Sequence, residues 1–148
     1  MRVRRAFLLL AFALALWSAV LAHEALPASA PSAAPQKKWI LIELDLKRLT
    51  LYQGTTVLKR YPIASGAWST PSPIGVFTVI GRFKTEMSGF GTRFLRLNVP
   101  WGVYGIHGTN RPDSIGANAS HGCIRLRVAD AEALYAMVPN GTRVYLEG

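Results

Sequence analysis

The 148 residues predict a mainly β domain, a sandwich or meander with one short helix. Three observations carry this. Short apolar segments rich in β-branched and aromatic residues recur along the chain, and Gly, Pro and polar turn signals separate them. A single stretch has a convincing helical period. No internal repeat is visible, and a chain of this length holds one domain.

Residues 39–44 and 49–53 read as strands flanking a polar connection, residues 45–48, and Gly54 closes the second before residues 56–63 begin a third, giving a meander. Prolines 71 and 73 cannot donate to a ladder, so residues 69–75 should form a loop feeding a strand at 76–80. Residues 87–91 contain two glycines and should turn tightly or move. Strands at 93–98 and 103–107 follow. The helix is expected at 129–138, with Asp130 and Glu132 near its N-terminus, Leu134, Met137 and Val138 on one face, and Pro139-Asn140-Gly141 ending it. A last strand spans 143–146.

Residues 1–22 read as an export leader, either a signal peptide or a signal anchor. Arg2, Arg4 and Arg5 precede an apolar run from 6 to 22 broken only by Ser18. Residues 23–38 are rich in Pro, Ala and Ser and form a linker, which leaves 39–148 as the folded domain. Without the leader the formal charge falls from +9 to +6, which suits an anionic cell-wall or lipid surface. The cationic residues are scattered with no aromatic interleaving, which argues against nucleic acid. The single cysteine, Cys123, excludes an intrachain disulfide and points to a reactive thiol or intermolecular pairing.

The unusual chemistry sits in two segments, Gly105-Ile106-His107-Gly108-Thr109-Asn110 and Ser120-His121-Gly122-Cys123-Ile124-Arg125-Leu126. If 123–127 is extended, alternation puts Cys123 and Arg125 on a polar face and Ile124 and Leu126 in the core. His107 ends a strand and meets Cys123 if the two strands are neighbours. Such a pair suits nucleophilic catalysis, the imidazole taking the thiol proton and returning it to a leaving amine. Full ionisation of a thiol with pKa near 8.5 gains at most ~30-fold at pH 7, so oxyanion stabilisation, typically worth ~10² to 10³, carries the larger share. The N–H groups of Gly122 and Cys123 are the expected donors. Arg125 should favour the thiolate and hold a substrate carboxylate. Each residue also has a purely structural reading: Cys123 as a buried apolar residue, His107 and His121 as hydrogen-bonded histidines, Arg125 in a surface ion pair, Ser120 and Thr109 in turns, Trp101 and Tyr104 as core aromatics. The two histidines and the cysteine would also suit a zinc site with an open position, although their spacing matches no familiar zinc signature.

Together, Ile106-His107-Gly108-Thr109 and Ser120-His121-Gly122-Cys123-Ile124-Arg125-Leu126 resemble the signature of the L,D-transpeptidase catalytic domain family. The likeness extends from Trp39 through Pro73-Ile74-Gly75-Val76-Phe77 to Val138-Pro139-Asn140-Gly141-Thr142. The resemblance implies a cofactor-free β domain that joins peptidoglycan stem peptides through a Cys123 thioester. His107 would be base and acid, His121 and Gly122 would shape the oxyanion site, and Ser120 would support the histidine geometry. Arg125 stands where many members have Asn, and with Thr109, Tyr104 and Trp101 it is a substrate-binding candidate. An L,D-carboxypeptidase would use the same site with water as acceptor. A zinc hydrolase and a non-catalytic wall-binding module are the remaining alternatives.

Overall fold

The computed structural model describes residues 36–148, with the side chains of Met87 and Ser88 excepted. The leader at 1–22 and most of the linker lie outside the described residues. No helix among the described residues is long and apolar enough to cross a membrane.

The meander forms as expected: β1 (Lys38–Glu43), β2 (Arg48–Gln53) and β3 (Thr56–Pro62) pair antiparallel in sequence order. The other edge of β1 takes the last strand, β10 (Arg143–Glu147), in parallel. β1 and β10 alternate, and β2 buries Leu49, Thr50 and Leu51 in succession. Ile40, Ile42, Leu49, Leu51, Val144 and Leu146 are buried, and residues such as Trp39, Arg143 and Tyr145 point to the other face. Full burial of a side chain of this size contributes roughly 1.5–3 kcal/mol, so the alternation fixes which face is inside.

The strand expected at 76–80 is instead part of β5 (Gly75–Ser88), 14 residues long. Its first half pairs with β10 and its second half with β6 (Gly91–Leu97), with a register shift between Val79 and Gly81. That irregularity lets one strand serve both halves of an eight-stranded sheet ordered β3-β2-β1-β10-β5-β6-β7-β9. The hairpin turn falls at Gly89 and Phe90, inside the expected 87–91, and Gly91, which opens β6, is in the left-handed region at φ 62°.

In the second half, β7 (Tyr104–Gly108) pairs antiparallel with β6 and parallel with β9 (Ile124–Leu126). A two-stranded parallel ribbon joins β4 (Ser65–Gly66) to β8 (Asn118–Ser120). The helix α1 (Val128–Met137) packs against β6 and β7. It begins one residue before the expected start, and within it Ala131 and Leu134 are the buried residues. Val138 is buried just beyond its end and Met137 is only partly covered.

Candidate active site

β7 and β9 are neighbours, so the two segments with unusual chemistry meet. Ile106 is paired with Ile124, and His107 with Arg125. Cys123 stands just before β9, and its thiol faces back toward the start of β7, with Sγ 4.0 Å from the Val103 carbonyl. The main chain of Arg125 is also pinned on its other side, where it exchanges bonds of 2.9 and 3.0 Å with Ala64. Backbone pairing on both edges holds the segment following the cysteine.

The turn before Cys123 is shaped by Gly122 and Ser120. Gly122 has φ +112°, and a Cβ there would lie 2.5 Å from Cε1 of Tyr104, so glycine is needed both for the conformation and for the ring beside it. Ser120 Oγ donates to the Cys123 carbonyl at 2.6 Å and accepts the Gly122 N–H at 3.0 Å. The Ser120 carbonyl in turn receives the Ala67 N–H at 2.8 Å and the Thr70 hydroxyl at 3.0 Å. The proline-rich loop expected only to feed a strand is thus a brace beneath the cysteine turn.

Cys123, His107, His121, Ser120 and Arg125 line a single cavity of about 370 Å³, together with Gly89, Phe90, Phe94 and Val103. His107 is 3% exposed. Its Nδ1 bonds the Gly108 carbonyl, which can only accept, so Nδ1 carries the proton and Nε2 is left as a basic lone pair. Phe94 stacks on the ring at 5.7 Å and Phe90 meets it edge-on at 5.0 Å. Burial lowers the imidazole pKa to about 4, with the Arg125 charge adding to the shift and the Gly108 bond opposing it. The imidazole is therefore neutral at pH 7.

Burial also raises the Cys123 thiol above its ordinary range, outweighing the Gly105 backbone bond and the Arg125 charge that favour the thiolate. Arg125 favours the thiolate, but burial outweighs it, and both members of the pair rest neutral. The expectation that the Gly122 N–H serves the oxyanion meets a competing bond, because that N–H is already bonded to Ser120. Arg125 Nε is buried with no hydrogen-bond partner among the described residues.

The remaining candidates are not among the residues that line this cavity. Tyr104 is the half-buried ring against Gly122. Trp101 is 64% exposed and meets Phe77 edge-on at 6.3 Å. Thr109 is buried, and its hydroxyl accepts the Arg111 N–H at 3.1 Å, a local turn bond. Phe90 and Phe94 went unremarked in the sequence. The one signal for them is that Phe90 lies in the turn, and Phe94 in the second strand, of a hairpin that precedes the His107 strand. Among the described residues no three His, Cys, Asp or Glu side chains gather into a metal-binding group, so the zinc alternative lacks its ligand set there.

Comparison with known proteins agrees with the two motifs and the sheet. The YkuD model, which describes the L,D-transpeptidase catalytic domain, matches residues 37–146. The Bacillus subtilis protein YkuD, named for the same activity, is 45% identical over 105 residues, which cover 71% of this chain and 63% of the relative. The chain thus matches less than two thirds of that relative's length. A solved L,D-transpeptidase from Xylanimonas cellulosilytica superposes with a TM-score of 0.63 at 27% identity, over 78% of this chain and 62% of that one. One from Mycobacterium smegmatis gives 0.65 at 24% identity, over 76% and 59%, a likeness of fold. With its family match spanning nearly all the described residues, the chain belongs to the L,D-transpeptidase catalytic domain family.

Proposed function

We propose that this domain is a cysteine acyltransferase of peptidoglycan, exported to the cell wall or periplasm. It would cleave the bond between the L-centre of a stem peptide's diamino acid and its terminal D-alanine, and join the acyl group to a neighbouring stem. The observation that supports this most directly is that Cys123, His107 and Arg125 line one small cavity.

Because thiol and imidazole both rest neutral, the proton moves during attack. Nε2 of His107 takes the thiol proton as Sγ bonds the donor carbonyl carbon, and the carbonyl π electrons move to oxygen. With the Gly122 N–H engaged by Ser120, the reading assigns the Cys123 N–H to the oxyanion, with His121 on the open side of the cavity. Collapse breaks the C–N bond, and His107 returns the proton to the departing amine of D-alanine. The thioester is then resolved by an acceptor amine, which loses its proton to His107 and restores the thiol. Water in place of the amine makes the same cycle an L,D-carboxypeptidase reaction.

Arg125 is proposed to hold the donor carboxylate. Its unpartnered Nε–H supports this, since a buried guanidinium donor without an acceptor is costly until a ligand supplies one. Intact mass after exposure to a tetrapeptide stem or a carbapenem tests the reading. The expected result is an adduct on the wild type that is absent in Cys123→Ala. A wild-type chain that never acquires a covalent adduct under turnover conditions would overturn it.

A further inference from the structure

A hollow larger than the one that holds Cys123 lies elsewhere in the domain. A groove of about 1110 Å³ runs between the outer face of β1 and β10 and the turn following α1. Its floor follows from strand alternation. Trp39 and Leu41 on β1, and Arg143 and Tyr145 on β10, are the residues whose neighbours Ile40, Val144 and Leu146 fill the core.

Two properties of this groove point to a ligand class. The first is an aromatic stripe across the strands. Tyr52 stacks on Trp39 at 4.1 Å and 5°, and Tyr145, 37% exposed, meets Trp39 edge-on at 5.5 Å. The indole N–H is satisfied by the Gly54 carbonyl at 2.8 Å, so the rings offer apolar surface rather than a missing bond. The second is charge: Lys37, Lys38, Arg82 and Arg143 line the groove against a single carboxylate, Glu147. Lys38 Nζ donates to the Met137 carbonyl at 3.0 Å, which fixes its charge at the groove wall. Arg82 lies over the Tyr135 ring with Nη2 on the Tyr135 carbonyl at 2.6 Å, and its buried Nε has no partner among the described residues. Flat apolar rings beside guanidinium and ammonium donors suit a chain of pyranose rings bearing carboxylates.

We propose that this groove is a second binding site, for peptide-free stretches of the wall polymer's glycan strand, whose lactyl carboxylates are free, with sugar rings against Tyr145 and Trp39 and carboxylates on Arg143 and Lys37. The proposal rests on the peptidoglycan reading for its ligand and extends it to a surface apart from the Cys123 cavity. Such a site would tether the domain at a denuded stretch of strand while neighbouring stem peptides exchange at the thiol. Losing the groove would then weaken binding to polymer without changing the reaction of a free stem peptide.

The test is titration calorimetry of the full chain with peptide-free glycan strands, released from sacculi by an amidase and carrying lactyl carboxylates. Wild type and Cys123→Ala are expected to bind alike. Arg143→Gln combined with Lys37→Gln should weaken binding at least about tenfold, the low end for a single lost charge-assisted hydrogen bond. Tyr145→Ala should weaken it independently, and both variants should still acylate with a free tetrapeptide at the wild-type rate. Binding unaffected by these substitutions overturns the proposal. So does polyphosphate binding at least as tight as that of the glycan, or dimerisation that depends on the groove without glycan binding. A wild type that binds strands through the groove but never acylates supports the site and overturns only the acyl-transfer reading.

Discussion

His107 and Arg125 occupy the same rung of the parallel β7–β9 pair, so a guanidinium is built in beside the imidazole proposed as the base. The charge opposes protonation of the ring, and burial under Phe90 and Phe94 opposes it more strongly. At neutral pH the resting imidazole is a weak base without its second proton. That arrangement suits a neutral pair in which the proton moves only as the sulfur attacks.

The acid limb of kcat/KM should therefore fall at about pH 4, and not near the ordinary imidazole value of 6.5. The alkaline limb should lie above the ordinary thiol range, because burial raises the Cys123 pKa. Stem-peptide turnover measured across pH 3.5 to 10 checks both. An acid limb between 6 and 7 would contradict the neutral, buried imidazole.

Phe90 is 49% exposed at the hairpin turn, so Phe90→Ala should fold and uncover His107. Water reaching the ring removes part of the burial cost of its charged form, and the acid limb should move up by about one pH unit. An unchanged limb would show that the Arg125 charge, not burial, dominates the shift.

Stability should follow the same titration. A histidine whose folded pKa is depressed binds fewer protons in the folded state, so stability is fully present above about 6.5 and is lost as pH falls through about 4. The shift corresponds to about 3 kcal/mol, with partial relaxation expected to reduce it. Urea melts at pH 7 and pH 4 should differ more for the wild type than for His107→Gln. Equal pH dependence in the two would refute the linkage.

Gly122→Ala should abolish acylation and cost about 1–3 kcal/mol, since an alanine at φ +112° is strained and its Cβ meets the Tyr104 ring. Adding Tyr104→Ala removes the ring contact but not the backbone strain. Thermal melts of the double variant should recover part of the loss while acylation stays absent.

Ser120→Ala deletes the hydroxyl that joins the Gly122 N–H to the Cys123 carbonyl. It should lower stability by about 1–3 kcal/mol, the cost of leaving buried groups unpaired. Acylation rate should fall while KM for a stem peptide changes little, because Ser120 positions the turn. A change confined to KM would instead place its hydroxyl on the substrate.

Much of the architecture was legible along the chain. The alternation of Ile40 and Ile42 and of Val144 and Leu146 marks strands with one buried face, and Pro139-Asn140-Gly141 marks where the helix stops. His107 and Cys123 stood out because two histidines, each followed by glycine, and a lone thiol are crowded into 17 residues. These are local signals, read from side-chain period and turn chemistry, and nearby residues alone generate them.

What the sequence determined by itself is therefore the mainly β class, most strand positions and the identity of the chemical groups. Only the tertiary structure decided that β10 returns to lie parallel against β1, that β5 runs on into the hairpin, and that Phe90 and Phe94 close over His107. It also decided the protonation state of the pair. Desolvation depends on what packs around a group from distant parts of the chain, and no spacing between His107 and Cys123 encodes that burial.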